Sequence, residues 1–146
     1  MSNFEQLAAF QPLLLFSVLL VLKMGAVGFI TANRRRLAQV VLNPEDVKVN
    51  PGSHAASEEA PEVLRAKRAH QNDLENIPAF LMLALLFTLS GASASAGWAY
   101  FGVFFVARLL HTVFYLNSAQ PLRTMMFFIG QITQLGIIVQ LLMKVF

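Results

Sequence analysis

The sequence predicts an all-α protein, an integral membrane bundle of four helices in a single domain of residues 1–146. Hydrophobic residues account for 56% of the chain and charged residues for only 13%, and the mean hydropathy is +0.59. A soluble domain usually has about a quarter of its residues charged. The apolar residues also fall into four runs, each close to the roughly 20 residues that cross about 30 Å of hydrocarbon.

These apolar runs define the predicted spans and the turns between them. The spans cover residues 7–32, 74–90, 98–116 and 124–143. Residues 91–97 form a turn of small residues, and Pro121 stands where proline is tolerated near a helix start. The first residues carry no basic segment and no cleavage site follows them. The first span is therefore predicted to be a retained helix rather than a signal peptide.

The longest connection, residues 37–62, is predicted to be an irregular cytosolic loop because Asn-Pro pairs interrupt it. Loops of this length are either functional or disordered. Basic residues gather on its side of the membrane: Arg34, Arg35, Arg36, Lys48, Arg65, Lys67, Arg68 and Arg123. Only Lys144 flanks the opposite side. The positive-inside rule therefore predicts that the first and third loops are cytosolic and that both termini are non-cytoplasmic.

Composition narrows the chemistry that the chain can perform. It contains no cysteine, which excludes disulfides, cysteine-ligated metals and a protein thiol as nucleophile. The histidines, His54, His70 and His111, lack the spacing of metal ligands, so no metal is predicted. The net charge of +3 comes from residues beside apolar runs. Membrane topology therefore explains it better than a nucleic-acid partner.

A polar stripe runs into the second span. At about 100° per residue, its members share one helix face of about 80°: Arg65, Arg68, Asn72 and Glu75. Charged groups carried into a membrane helix are expected to face protein or a water-filled cavity. The stripe therefore fits a zwitterionic ligand held at the membrane boundary. The alternative is a capping and snorkelling network that anchors the helix end.

A second stripe lies on the third span at positions i, i+3, i+4 and i+7: Arg108, His111, Thr112 and Tyr115. An Arg108 facing lipid would cost about 3 kcal/mol, so it is expected to face the bundle. One interpretation pairs it with Glu75 to lock two helices together, which does not exclude a ligand. A lone histidine such as His111 is more often a satisfied interior imidazole than a catalyst, and Tyr115 is equally explained as an interface anchor. Lys23, deep in the first span, is expected to face an interhelical or subunit contact.

Three segments at family spacing resemble the signatures of a known superfamily. They are Arg68–Asn76 (RAHQNDLEN), Val106–Leu116 (VARLLHTVFYL) and Asn43–Asp46 (NPED). They look like segments of the MAPEG superfamily, the membrane-associated proteins of eicosanoid and glutathione metabolism. The glutathione transferase branch is the most similar, with the prostaglandin E synthase branch next. The resemblance covers nearly the whole chain, including Pro121–Arg123 at the start of the last span.

The resemblance implies a homotrimer that binds glutathione as a co-substrate between neighbouring subunits on the cytosolic side. It assigns cofactor contacts to Arg34, Arg35, Arg36, Asp46, Arg68, Asn72, Glu75, Arg108 and His111. One arginine of the 34–36 cluster resembles a contact to a glutathione carboxylate, and Glu75 resembles the acceptor of the γ-glutamyl amine. Asp46 resembles an acidic loop group that lies near Arg123.

The same resemblance assigns the chemistry to the last two spans. Arg123 resembles an arginine held beside the glutathione sulfur, where a cation favours the thiolate. Tyr115 and Thr124 are the other candidate catalytic residues. Prostaglandin synthases carry an arginine where Gln71 stands, and a serine and an aromatic hydroxyl where Thr124 and Phe127 stand. These departures argue against prostaglandin isomerase activity.

The implied activity is conjugation of glutathione to hydrophobic electrophiles that arrive through the membrane lipids, with reduction of lipid hydroperoxides as a side activity. Two other functions remain open. A noncatalytic lipid-binding or scaffold protein of the same family would keep the trimer and lose thiolate stabilisation. A small multidrug transporter would need a carboxylate deep in a span, whereas the deep charge of the first span is Lys23.

Overall fold

The computed structural model describes residues 7–146, and these form four long helices joined by short turns and one structured connection. The helices are α1 (Phe10–Ala38), α2 (Pro61–Leu89), α3 (Ala94–Leu116) and α4 (Gln120–Val145). All four are long and apolar enough to cross a membrane. The predicted all-α membrane architecture is confirmed. The predicted location of the N-terminus concerns residues 1–6, which lie outside the described part of the chain.

All four helices are longer than the spans read from the sequence, and the added turns of α1 and α2 carry residues of the predicted site. The α1 helix continues to Ala38 and carries the arginines at 34–36 on its last turns. The α2 helix begins at Pro61, well before the predicted start of its span, so Arg65 and Arg68 lie on its first turns. Proline at the first helical position and Glu62 in the first turn both favour a helix start there. Hydropathy indicates only the part of a helix that lies inside hydrocarbon, whereas the last turns of α1 and the first turns of α2 are polar.

The connection between α1 and α2 is more ordered than predicted. It contains strand β1 (Val40–Val41), a 3-10 helix (Pro44–Lys48) and strand β2 (His54–Ala55). The two strands pair in parallel, with Val40 opposite His54. The amide nitrogen of Ala56 also donates to the carbonyl oxygen of Val41 at 2.9 Å. The prediction of an irregular loop is therefore wrong for this segment, because strands of two residues leave no periodic signal in the sequence.

Like α3, the α2 helix packs against each of the other three helices. Its buried residues recur every three or four positions: Ala66, Ala69, Asp73, Ile77, Phe80, Ala84 and Phe87. In the core, the ring of Phe80 stacks on that of Phe104 with centroids 3.6 Å apart and meets that of Phe101 edge-on. Because lipid is as apolar as these side chains, close packing rather than water exclusion holds such helices together.

Glycines allow two close helix contacts. A Cβ at Gly97 of α3 would lie 2.8 Å from Cγ of Pro12 and 3.0 Å from Cβ of Ala9, at the start of α1. A Cβ at Gly136 of α4 would lie 2.9 Å from a ring carbon of Tyr100. The α1 and α3 helices, and likewise α3 and α4, therefore approach closely only because these positions lack a side chain.

The contact at Gly97 predicts the effect of one added methyl group. Gly97→Ala should lower the free energy of unfolding by about 1–3 kcal/mol, because neither the rigid proline ring nor the methyl group of Ala9 can move aside easily. Gly25→Ala is the matched control, since a Cβ at Gly25 meets nothing within 4 Å and gains the same helix propensity. Thermal unfolding in detergent, followed by the helical circular dichroism signal, measures both. Equal midpoints for the two variants would contradict the predicted clash.

Candidate functional site

A basic cleft of about 390 Å³ opens where α2 and α4 begin and α3 ends. It is lined by Pro61, Leu64, Arg65, Arg68, Tyr115, Ser118, Gln120 and Arg123. The structure therefore brings together Arg68, Tyr115 and Arg123, three of the residues that the sequence selected. Three guanidinium groups and no carboxylate line the cleft, so its charge suits an anionic ligand.

Arg123 is held in a defined position at the start of α4. The central carbon of its guanidinium lies 4.4 Å from the ring centroid of Tyr115, a cation–π contact. The Tyr115 ring in turn meets the ring of His111 edge-on at 5.6 Å, and Phe127 packs against the same histidine at 6.2 Å. The free N–H groups at a helix start and a fixed cation both favour a bound anion.

Beside the cleft, a buried ion-pair network joins three helices. Asp73 of α2 is fully buried, and its two oxygens bind Lys23 of α1 and Arg108 of α3. The Arg108 Nη2 atom lies 2.7 Å from Oδ1 of Asp73. The ammonium of Lys23 binds the other carboxylate oxygen and also donates to Oγ1 of Thr112 at 2.6 Å. The expectation that Lys23 faces an interhelical contact matches this geometry.

The proposed pairing of Arg108 with Glu75 is wrong. Asp73 takes that place because it lies on the buried stripe of α2, in line with Ile77. Glu75 lies on the exposed face, where it accepts a hydrogen bond from Nε2 of Gln71 at 3.1 Å. The burial of Asp73 could have been predicted from the sequence, because Asp73 lies four residues before the apolar Ile77 and therefore on the same helix face.

Two further amides extend the network from α2. Arg108 Nη2 also donates to Oδ1 of Asn72 at 2.6 Å, and Nε2 of Gln131 on α4 donates to Oδ1 of Asn76 at 2.6 Å. Arg108 itself is only 1% exposed. Arg108 therefore does not line the cleft and bonds Asn72 from inside the bundle, and its contact with a ligand stays a prediction.

The other predicted ligands occupy separate places. On α1, Arg34 donates to the carbonyl oxygen of Glu62 at 3.3 Å, Arg35 binds Glu59 at 2.9 Å and Arg36 donates to Asn33 at 3.1 Å. His111 is buried within the bundle, behind Tyr115. Thr124 is exposed and does not line the cleft. Among residues 7–146, no group of three histidine, aspartate or glutamate side chains could hold a metal ion.

Asp46 lies away from Arg123 within one chain. It accepts a hydrogen bond from Nδ2 of Asn43 at 3.2 Å and lines a separate cavity of about 200 Å³ with Arg35, Glu59 and Lys67. Within residues 7–146 of the single chain, Asp46 and Arg123 line separate cavities, and their expected proximity stays a prediction. The physical reason for the separate cavities is the ordered connection, which folds back on the end of α1 and holds the 3-10 helix there.

Glu59 fastens this connection to two helices. Its carboxylate lies 2.9 Å from the guanidinium of Arg35 on α1 and 2.8 Å from Nζ of Lys67 on α2. Burial alone would raise the pKa of Glu59, but the two bound cations lower it below its ordinary value of 4.5. The carboxylate is therefore charged at neutral pH and joins both helices to the connection.

The fold and site define a class: a multi-pass membrane bundle of four helices with a basic cleft at one end. The family model for the MAPEG family matches residues 13–143, and the chain belongs to that family. The chain is 36% identical to human prostaglandin E synthase, over 92% of this chain and 88% of that protein. It is 37% identical to bovine microsomal glutathione S-transferase 1, over 89% of this chain and 88% of that protein.

A further relative is rat prostaglandin E synthase, 36% identical over 99% of this chain and 93% of that protein. The prostaglandin E synthases and the microsomal glutathione S-transferase are thus nearly equally similar to this chain. Overall identity therefore establishes the family and leaves the choice of reaction to the residues of the site.

The buried network predicts a large effect of removing its single negative charge. Asp73→Asn leaves Lys23 and Arg108 buried without compensation and should lower the free energy of unfolding by about 3–5 kcal/mol. Glu75→Gln is the matched control, because it removes an equal charge from the exposed face of the same helix. Thermal unfolding in detergent compares the two variants. A larger loss in Glu75→Gln than in Asp73→Asn would show that the pairing is assigned to the wrong carboxylate.

The ion pairs of Glu59 predict a pH response of residues 40–60. Because the folded pKa is lowered, the pairs contribute fully above pH 4.5 and their contribution is lost as the pH falls through the lowered pKa. Hydrogen exchange, corrected for intrinsic rates, should therefore show loss of protection in this segment below pH 4.5. Glu59→Gln should be less protected at neutral pH and lack this step. An unchanged step in the variant would assign the response to another group.

Proposed function

We propose that this protein is a membrane-bound glutathione transferase that conjugates glutathione, through its thiolate, to hydrophobic electrophiles. The observation that carries the proposal is the position of Arg123, a cation fixed over Tyr115 in a cleft with Arg65 and Arg68. A relative of 37% identity is named a microsomal glutathione S-transferase, which supports the same choice.

The chemistry of the cleft matches the parts of glutathione. The tripeptide carries two carboxylates, an ammonium group and a thiol. Arg65 and Arg68 present guanidinium forks, which bind carboxylates in a bidentate manner. Glu75, on the exposed face of the same helix, is a suitable acceptor for the ammonium group. Asn72, between Arg68 and Glu75, supplies a neutral contact.

The protein contributes charge and position, and glutathione supplies the nucleophile. A thiol beside Arg123 and the start of α4 has its pKa lowered, so it loses its proton on binding and the thiolate accumulates at neutral pH. The sulfur then forms a bond to an electrophilic carbon while the leaving group departs with its electron pair. With a lipid hydroperoxide, the thiolate attacks the terminal oxygen, the O–O bond breaks and the alcohol leaves after protonation. The glutathione sulfenic acid that remains then reacts with a second glutathione to give the disulfide and water.

Membrane energetics supports completion of this site by further copies of the chain. In the single chain, Arg68 and Glu75 are exposed on a helix that crosses the membrane. Charges at such positions are expected to face protein or a water-filled cavity. A homotrimer places this face against a neighbouring copy, and that copy then supplies the arginines of the 34–36 cluster and Asp46. The basic residues of the first and third loops support a site on the cytosolic side, with both termini non-cytoplasmic.

The same residues favour a transferase over the other functions considered. Gln71 bonds Glu75 and Phe127 packs on His111, at positions where the prostaglandin synthases carry an arginine and an aromatic hydroxyl. A scaffold protein has no use for a cation fixed at a helix start. A multidrug transporter needs a carboxylate that binds a proton and a cationic substrate in turn. The buried carboxylate of Asp73 is instead bound by Lys23 and Arg108 of the same chain.

Two measurements in detergent test the proposed function. Isothermal titration with glutathione should give saturable binding, and turnover with a generic aryl halide should depend on glutathione. Binding without turnover would favour the noncatalytic alternative. No binding at millimolar glutathione would reject the assignment. Glutathione-independent, proton-coupled flux in liposomes would support the transporter instead.

If Arg123 is catalytic, its substitution should lower turnover and leave glutathione binding nearly unchanged. Arg123→Ala should reduce turnover with the aryl halide by about 10²-fold, the scale seen when one group that stabilises developing charge is removed. Glutathione affinity should change little, because the carboxylates and the amine are held elsewhere, and the thiolate absorbance should appear at a higher pH. Arg123→Lys should recover part of the charge effect without the forked geometry.

Lys144→Ala is the matched control, because it removes a basic residue at the other end of the same helix. It should leave turnover and binding as in the wild type. Wild-type turnover in Arg123→Ala would remove the catalytic assignment from this residue and direct it to Tyr115 or Thr124.

A further inference from the structure

Arg108 connects the buried network to Asn72, at the edge of the exposed face of α2, through a single nitrogen atom. Its Nη2 donates to Oδ1 of Asp73 at 2.7 Å and to Oδ1 of Asn72 at 2.6 Å. Asp73 is fully buried and also bound by Lys23, so it does not move easily. The guanidinium is planar, and its N–H groups have a fixed geometry. Asp73 therefore fixes the guanidinium, and the guanidinium fixes the oxygen of Asn72.

This contact decides which way the amide of Asn72 faces. A carboxamide has an accepting oxygen and a donating nitrogen, and the hydrogen-bond network determines their placement. Arginine carries only donors, so the oxygen of Asn72 must face Arg108. Its Nδ2 group then faces away from the network, and no acceptor within residues 7–146 bonds it. Asn72 is half-buried and lies one helical turn from both Arg68 and Glu75.

We propose that Arg108 is a positioning residue: it holds the amide of Asn72 as a hydrogen-bond donor to glutathione and does not touch glutathione itself. The proposal rests on the proposed function and deepens it, because it specifies that Asn72 donates the hydrogen bond in its contact with glutathione. The ligand atom that meets Asn72 must be an acceptor, a carboxylate or carbonyl oxygen. Because the amide is already oriented before the ligand arrives, binding does not have to immobilise it.

One feature of Arg108 suggests the competing arrangement, in which glutathione contacts it directly. Its Nε and Nη1 atoms are buried and have no hydrogen-bond partner among residues 7–146. A ligand group that reached them would have to displace the helices that cover the side chain. Direct contact and positioning through Asn72 predict different results when the two residues are changed together.

A double-mutant cycle on glutathione affinity separates these arrangements. Arg108→Lys keeps the charge beside Asp73, but its side chain is one bond shorter and lacks the planar fork. Asn72→Ala removes the amide. Isothermal titration should show that each single change weakens glutathione binding by about tenfold, the scale of one hydrogen bond to a charged group. The double variant should bind no more weakly than Asn72→Ala. If the loss of affinity in the double variant equals the product of the two single losses, Arg108 contacts glutathione or acts independently of Asn72.

Asn72→Asp tests the polarity of the contact. An aspartate still accepts from Arg108 but presents an oxygen, rather than an N–H group, to the ligand. Its affinity for glutathione should fall at least as far as that of Asn72→Ala. Wild-type affinity in Asn72→Asp would show that the contact does not require a donor.

Thr112→Val is the control for a purely structural effect. It removes a hydroxyl from the same buried network with little change of shape, and Thr112 does not contact Asn72. We expect a lower unfolding midpoint with unchanged glutathione affinity. If Thr112→Val weakens binding as much as Arg108→Lys does, the effect is structural and the positioning role is rejected. Absence of binding by the wild type would instead reject the proposed function, so the two failures are distinguishable.

Discussion

The arrangement of this bundle depends on the burial of one carboxylate, that of Asp73, between two cations from different helices. A single charge in a membrane interior is costly, and an unpaired one inside a protein is similarly unfavourable. Lys23 on α1, Asp73 on α2 and Arg108 on α3 are therefore stable only together. Moving any one helix by a turn would separate the charges. The ion pairs thus fix the relative positions of three helices, which apolar packing in lipid specifies less sharply.

The sequence predicted the parts of the structure that depend on hydropathy and on recognisable segments. Four apolar runs indicate four helices, and the family segments selected Arg68, Tyr115 and Arg123, which line one cleft. The helix ends were missed because hydropathy follows hydrocarbon thickness, not helix length. Asp73 was not selected from the sequence, because the polar stripe pointed to Glu75 as the partner of Arg108. The three- and four-residue spacing of the buried positions of α2 includes Asp73 and does not include Glu75. The short strands have no periodic pattern that a sequence could show.

The two faces of α2 have separate tasks. The inner face, with Asp73 and the aromatic core, fixes the bundle, whereas the outer face exposes Arg68 and Glu75, the residues proposed to bind the ligand. Asn72 lies at the boundary and is bonded to the inner network through Arg108. A recognition group that is supported in this way is already in its bound orientation, which reduces the conformational entropy lost on binding. On the proposed function, Arg108 would thus affect recognition without meeting the ligand.

The cleft itself remains electrostatically incomplete within one chain. Arg65, Arg68 and Arg123 form no ion pair with any carboxylate of residues 7–146, whereas Lys23, Arg108 and Arg35 all do. Mutual repulsion of the three cations is relieved only by an anion or by acidic groups of a neighbouring subunit. A ligand that brings two carboxylates and a thiolate supplies negative charge where the protein lacks it. Ligand binding and stability are therefore linked, because an anion that binds only the folded protein stabilises it by an amount that rises with the logarithm of its concentration above the dissociation constant. The same rule, that charges near the membrane must be compensated, thus accounts for how the buried helices pack and favours an anion in the open cleft.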